Sequence, residues 1–443
     1  MKRIRVDKRW SGLGLLLMVA GLTACDSLLE VSNPGSVVAE DLDDVRLAET
    51  LVLGAVADFE CVYDNHVEVM GFWSGEFYAT DNAVWLLEPQ HRQTQYWETR
   101  WGDGTCEEER ATHNGLQTAR TQARTAQDLI ADFDASELGA DHKQFLLGKA
   151  AVYEGWSIEL LSEEFCQVTI NGGAPMSRDA GNALAVASFT EAIAKLATVT
   201  GDDAAEATNL RYAALTGRAR ANLNMGAAAG LIVADADLVP AGFKLLAKYE
   251  STPGRLYNAM YWQSSLDYGV VLSYFYATGI HYTKPVPASA PLYGTIDGTP
   301  TGAMDPRVPM DHIGLGAAFD PSMDVWIQDV FDDRADDMTI TSYEEAQLMI
   351  AEVDPARSVG IINALRAAHG IAPYVAVDAA TTALQVRVER IKELFLEGTR
   401  IGDKIRWNEP FDQGSSPRGQ PYNASVVGCV PLPDFETLTN TNF

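Results

Sequence analysis

Apolar residues recur along this chain at helical spacing, in blocks separated by stretches where the spacing is lost. Residues 41–59, DLDDVRLAETLVLGAVADF, open with aspartates and place Val45, Leu51, Val52, Ala55 and Phe59 along one side, which predicts a helix. From 61 to 110 the pattern is irregular, and Trp73, Trp85, Trp97 and Trp101 fall there, four of the nine tryptophans in the chain. Periodicity returns over 112–133 and again over 141–165, where Leu147, Ala151, Ile158, Leu161 and Phe165 follow steps of four, seven, three and four. Phe189, Ile193 and Leu196 repeat the stripe, as do Leu210, Ala214, Gly217 and Ala221. Small residues on these stripes let helices approach closely.

Residues 230–335 break the pattern with recurring Pro and Gly (VPAGF, STPGR, KPVPASAPLYGTIDGTPTG, MDPRVPM), which predicts long structured loops. Loops of that length usually carry function. Helices resume over 342–369, and a last long helix is predicted over about 381–407, before a Pro/Gly-rich tail. Consecutive helical pairs of this kind resemble tetratricopeptide hairpins without keeping a strict repeat. The expected fold is therefore mainly α, an α–α superhelix of hairpins with long loop-rich insertions and little β structure.

The 443 residues carry 33 Lys and Arg against 61 Asp and Glu, a net charge of −28. Such acidity disfavours nucleic acid and anionic lipid surfaces as partners. The amino terminus runs against it. Lys2, Arg3, Arg5, Lys8 and Arg9 precede an apolar run from Gly12 to Leu22, too short to cross a bilayer and shaped like an export signal. Leu22-Thr23-Ala24-Cys25 is similar to the bacterial lipobox, in which the cysteine is diacylglycerated and the leader is cut before it. Several acyl chains, at about 0.8 kcal/mol per buried CH₂, hold a soluble body firmly at a membrane. Cys25 is thus read as the lipid anchor, with residues 1–24 as signal peptide and 25–40 as tether. An ordinary signal peptide followed by a structural cysteine is the bland alternative.

With Cys25 set aside, four cysteines remain, and an exported chain allows three pairings among them. Cys61 and Cys106 bracket one polar, aromatic-rich segment and are paired first, leaving Cys166 with Cys429. A metal site is the alternative, but no CxxC or HxxxH spacing supports one. The stretch DVWIQDVFDDRADD has six aspartates in fourteen residues. It lacks the spacing and glycine of an EF-hand loop and is read as a solvated acidic face in preference to a calcium site.

Two carboxy-terminal stretches carry a family resemblance. Val388 to Trp407, VERIKELFLEGTRIGDKIRW, resembles the signature helix of the SusD/RagB outer-membrane nutrient-uptake lipoproteins, with Glu389-Arg390, Glu393, Glu397-Gly398, Arg400, Asp403 and Arg406-Trp407 at matching places. The ending CVPLPDFETLTNTNF is similar to the family's last segment through Pro431, Pro433, Glu436 and Asn440, although Thr441 stands where proline is usual. SYEEAQLMIAEV and the turn Asp305-Pro306-Arg307 add two further matches. Read from the residues alone, the signature stretch is a helix whose charges at i,i+3 and i,i+4 form a structural ion-pair network, with Ile391, Leu394, Phe395 and Ile401 buried.

The resemblance implies one domain over 41–443. Its helical scaffold would span about 112–229 and 342–407, and its ligand-binding parts about 61–110 and 230–335. It also implies a role without catalysis and without cofactor: capture of an oligosaccharide or peptide at the cell outer membrane and delivery to a TonB-dependent, SusC-like transporter. A lipid-anchored scaffold for protein partners and a lipid-anchored glycoside hydrolase are the alternatives, the latter lacking GxSxG, HExxH and phosphate-loop motifs. Because sugar faces stack on aromatic rings and their hydroxyls bond carboxylates, amides and Arg, the candidate ligand contacts are the loop residues Trp73, Asp81, Asn82, Trp85, Arg92, Trp97, Trp101, Tyr282, Tyr293 and Trp326. For each aromatic, a place in the core is the competing reading.

Overall fold

A computed structural model describes residues 44–79, 112–248, 270–272, 293–299, 302–315, 324–331, 336–411, 413–414 and 421–443. Everything described from Val45 onward lies in one compact unit. Helices dominate: α1 (Ala48–Ser74), α2 (Thr112–Asp132), the single turn α3 (Ala135–Leu138), α4 (Ala140–Glu164), α5 (Arg178–Leu196), α6 (Ala204–Asn224), α7 (Ala229–Ala236), α8 (Tyr343–Val353), α9 (Pro355–Ala368), α10 (Ala379–Glu393), α11 (Arg400–Arg406) and α12 (Asp434–Thr439). The long ones pack in series, α1 on α2, α2 on α4, α4 on α5, α5 on α6, α6 on α7, α7 on α8, and α8 on both α9 and α10. That succession is the superhelix of hairpins which the hydrophobic spacing predicts.

Small residues set the close approach. Phe189 of α5 is fully buried and its ring lies between Gly155 of α4 and Gly217 of α6; a β-carbon would stand 2.7 Å from the ring at the first and 2.3 Å at the second. Trp156 meets the same ring edge-on, with centroids 5.4 Å apart. One aromatic thus fixes the spacing of three helices.

Two helix boundaries differ from the sequence reading. α1 runs through Ser74, far beyond the predicted end near residue 59, because Val62, Val67, Met70 and Trp73 continue its buried side and Gly75, at φ 80°, terminates it. The predicted helix over 381–407 is two helices, α10 and α11. Leu396 (φ 62°) and Gly398 (φ 68°) adopt left-handed backbone between them. A β-carbon on Gly398 would lie 2.7 Å from the His66 ring, so this break both turns and approaches α1. The 342–369 block also divides, at Asp354-Pro355, where Asp354 caps α9 and Pro355 starts it.

Strands are few and short: β1 (Phe77–Ala79), β2 (Lys244–Ala247), β3 (Val270–Leu272), β4 (Met310–Leu315), β5 (Asp324–Gln328) and β6 (Met338–Ser342), paired antiparallel as β1–β3, β2–β6 and β4–β5. β3 also packs beside β5. Cys166 and Cys429 form a disulfide, Cα to Cα 5.1 Å, next to a parallel bridge between Phe165 and Val430 that seats the carboxy-terminal tail on the end of α4. Cys61 is disulfide-bonded as well, and Cys106 lies outside the described residues.

Candidate functional site

The candidate contacts divide sharply once placed. Asp81, Asn82, Trp85, Arg92, Trp97, Trp101 and Tyr282 lie outside the described residues. Trp73 does not lie in a loop. It is the penultimate residue of α1, fully buried, and packs edge-on against Phe411 with ring centroids 6.1 Å apart. Its ring is interior, so it is removed from the set of ligand contacts. Helical spacing could have shown this, since Trp73 continues the stripe of Val62, Val67 and Met70.

Trp326 and Tyr293 belong to the strand-bearing side. Trp326 is the middle residue of β5 and pairs across the hairpin with His312 of β4. Neighbouring side chains on one face of an antiparallel pair are close enough to stack, and these rings do, with centroids 4.4 Å apart and planes within 19°. Trp326 is 8% exposed, whereas His312 is exposed. The open ring of this ledge is therefore the histidine, with tryptophan as its backing. His312 was missed by a reading that sought tyrosine and tryptophan, although its place opposite Trp326 follows from hairpin register.

Tyr293 is also nearly buried, its ring 6.0 Å from the Arg400 guanidinium, which is held in turn by Glu409 at 2.8 Å. Burial raises the Tyr293 hydroxyl above its ordinary range, so it stays neutral. Tyr293 opens a small hairpin in which Ile296 N–H donates to Ala303 O and Asp305 N–H to Gly294 O.

The signature stretch clamps this hairpin. Lys392 Nζ donates to Thr295 O at 2.5 Å and lies 3.2 Å from Asp305. Arg307 grips Asp305 through Nε and Nη2, both at 2.9 Å, and also meets Glu389 and Glu393. Burial pushes the Asp305 carboxyl up, but Arg307 and Lys392 outweigh it and hold the group at about 2.

A second set of charges ties the scaffold together. Arg220 of α6 forks onto Glu345 of α8 at 2.7 and 2.6 Å, Arg390 reaches the same Glu345, and Asp403 receives Arg390 and Arg406. Arg220, Glu345, Glu389, Arg390, Lys392 and Asp403 are all at most 2% exposed. The network is structural, as the residues suggest. Its partners, however, are long-range contacts between elements rather than neighbours on one helix surface.

β1, β3 and β5 lie side by side, and Ala79 and Leu272 are the points from which the segments bearing Asp81–Trp101 and Tyr282 leave the described structure. With the His312–Trp326 ledge beside them, this is the candidate ligand face. It offers ring stacking and polar contacts. Among the described residues no group of three or more His, Cys, Asp or Glu is placed to hold a metal ion, and no helix is long and apolar enough to cross a membrane.

No family model and no curated protein sequence matches the chain. Solved structures do. A SusD-like carbohydrate binding protein from Bacteroides vulgatus aligns over 90% of this chain and 97% of its own, with TM-score 0.62 at 12% identity. A SusD superfamily protein from Parabacteroides distasonis aligns over 92% and 98%, with TM-score 0.59 at 12% identity. A laminarin binding SusD-like protein aligns over 90% and 98%, with TM-score 0.53 at 14% identity. The correspondence spans nearly all of each chain, and it establishes the fold.

Proposed function

We propose that this chain, which has the SusD-like fold, is a lipid-anchored outer-membrane protein that captures an oligosaccharide without altering it and passes it to a TonB-dependent, SusC-like transporter. The observation that carries the reading is the match over nine-tenths of the chain to a protein described as carbohydrate binding, joined by a second that binds laminarin. The described residues add a stacking ledge at His312 and Trp326, the kind of surface on which a sugar face rests. Cys25 and its leader support the anchor, and the outer-membrane placement facing outward rests on the sequence's resemblance to the SusD/RagB lipoproteins. The net charge of −28 favours neutral glycans over polyanionic ones.

The test is calorimetric titration of the full chain in detergent with laminarin and a panel of neutral polysaccharides, with reducing ends assayed in the same samples. Saturable binding with no release of reducing ends is expected. A silent panel overturns the glycan reading, and steady release of reducing ends makes the protein a hydrolase. Palmitate labelling that disappears in Cys25→Ser, and co-purification of a TonB-dependent barrel from envelopes, test the anchor and the delivery step.

A further inference from the structure

A cleft of about 490 Å³ opens between α8, α9 and α10, with Pro355, Val359, Val377 and Val386 among its apolar wall residues and Asp378 and Arg387 among its polar ones. Two polar groups in it have unused capacity. Glu352 accepts from Trp407 Nε1 at 3.0 Å and from Arg406 through one carboxylate oxygen, while its other oxygen is buried and has no hydrogen-bond partner among the described residues. Arg387 lies 4.9 Å from the Trp407 ring, and its guanidinium makes no hydrogen bond or ion pair among the described residues.

The rim is an open backbone edge. Residues 371–378 run without turn or bend, and Asn363 fastens Tyr374 at both its N–H (2.7 Å) and its C=O (3.2 Å). Beyond that point the backbone groups of Val375, Ala376 and Val377 make no hydrogen bond among the described residues, and Val375 and Val377 are 79% and 81% exposed. The segment belongs to none of the described sheets, but its unpaired N–H and C=O groups are open to pairing with another extended chain.

We propose that this cleft binds the carboxyl end of an extended apolar peptide, which pairs with residues 375–377, places its last side chain between α8, α9 and α10, and gives its terminal carboxylate to Arg387. A guanidinium with open donors suits a carboxylate. A sugar fits less well, because no aromatic ring is among the cleft's lining residues and Trp407 beside it already carries Arg387 and Arg406, the latter at 5.2 Å. The proposal is independent of the glycan reading and uses none of its residues.

The test is fluorescence anisotropy with the full chain in detergent and a labelled peptide, Gly-Ser-Thr-Val-Ala-Val, as free acid and as carboxy-terminal amide. Saturable binding of the acid is expected, with the amide about tenfold weaker and Arg387→Ala reducing the acid to the amide's level. Val377→Asp, at an exposed position that leaves the melting temperature unchanged, weakens the acid by a similar factor. No saturable binding, equal binding of acid and amide, or full binding to Val377→Asp overturns the proposal. Displacement of the peptide by a glucuronic-acid oligosaccharide more strongly than by unlabelled peptide also overturns it and makes the cleft an acidic-sugar site.

Discussion

Arg390 and Asp403 meet in the interior across the break between α10 and α11, with Arg390 Nε 2.7 and 2.9 Å from the two carboxylate oxygens and each residue 2% exposed. The pair converts a chain reversal at Leu396–Gly398 into a fixed angle. Through Glu345 and Arg220 it also joins the last scaffold helices to α6. Removing one partner strands a charge in a low-dielectric interior, which typically costs about 3–5 kcal/mol. Asp403→Ala is therefore expected to lower the unfolding free energy by that amount in chemical denaturation. The double variant Arg390→Met/Asp403→Leu is expected to lose clearly less than the sum of the two single changes.

Gly217→Ala is expected to destabilise the protein by about 1–3 kcal/mol, because the added methyl group has no room beside the Phe189 ring. A second change, Phe189→Leu, is expected to recover part of that loss in the Gly217→Ala background while destabilising the otherwise unaltered protein. If thermal melts of the four proteins are simply additive, the three-helix contact at Phe189 does not set the helix spacing.

Stability is expected to fall as pH rises from about 6.5 to 8, in part through Glu397. Burial first, with Glu345, Glu344 and Glu393 nearby, pushes its carboxyl up to about 8 against the opposing pull of Lys244. The unfolded group titrates near 4.5, so between these values the folded state holds a proton that the unfolded state has released. The stability it contributes is complete below the unfolded value and is lost as pH climbs through the folded one. His113, lowered to about 4 by burial, acts with the opposite sign between about 4 and 6.5 and masks the trend there. Glu397→Gln is expected to flatten the profile above pH 6.5; an unchanged slope in urea melts across that range means that Glu397 is ionised in the fold.

Much of this architecture was legible in the residues. Helical stripes such as Leu147–Leu161 survive as α4 because each of those positions is buried in one helix, with buried Phe165 capping its end. The break at 394–399 was not legible, since Leu396 gives no local sign that its backbone turns left-handed; the close approach to His66 and the pull of the buried pairs decide it. The charges of 389–403 looked like surface i,i+4 partners because sequence spacing cannot show that Asp305, Arg307, Glu345 and Arg366 arrive from elsewhere to bury them. Of the aromatic candidates, Trp73 was misplaced with the end of its helix. Trp326 came with a partner, His312, that only strand register reveals.

The ledge supplies the last prediction. If the strand-bearing face holds sugar, the exposed His312 ring makes the contact and Trp326 orients it from beneath. His312→Ala then removes one stacking surface, worth about 0.5–1.5 kcal/mol, and is expected to weaken glycan binding several-fold with a smaller drop in melting temperature than Trp326→Ala, since its cross-strand stack is lost too. Trp326→Ala removes a nearly buried side chain together with that support, so both affinity and stability are expected to fall. Trp73→Phe, deep in the contact between α1 and Phe411, is expected to shift stability and leave affinity alone. Calorimetric titration of the three variants with one bound glycan checks the assignment; equal loss of affinity in His312→Ala and Trp73→Phe would mean that the ledge is not where the sugar rests.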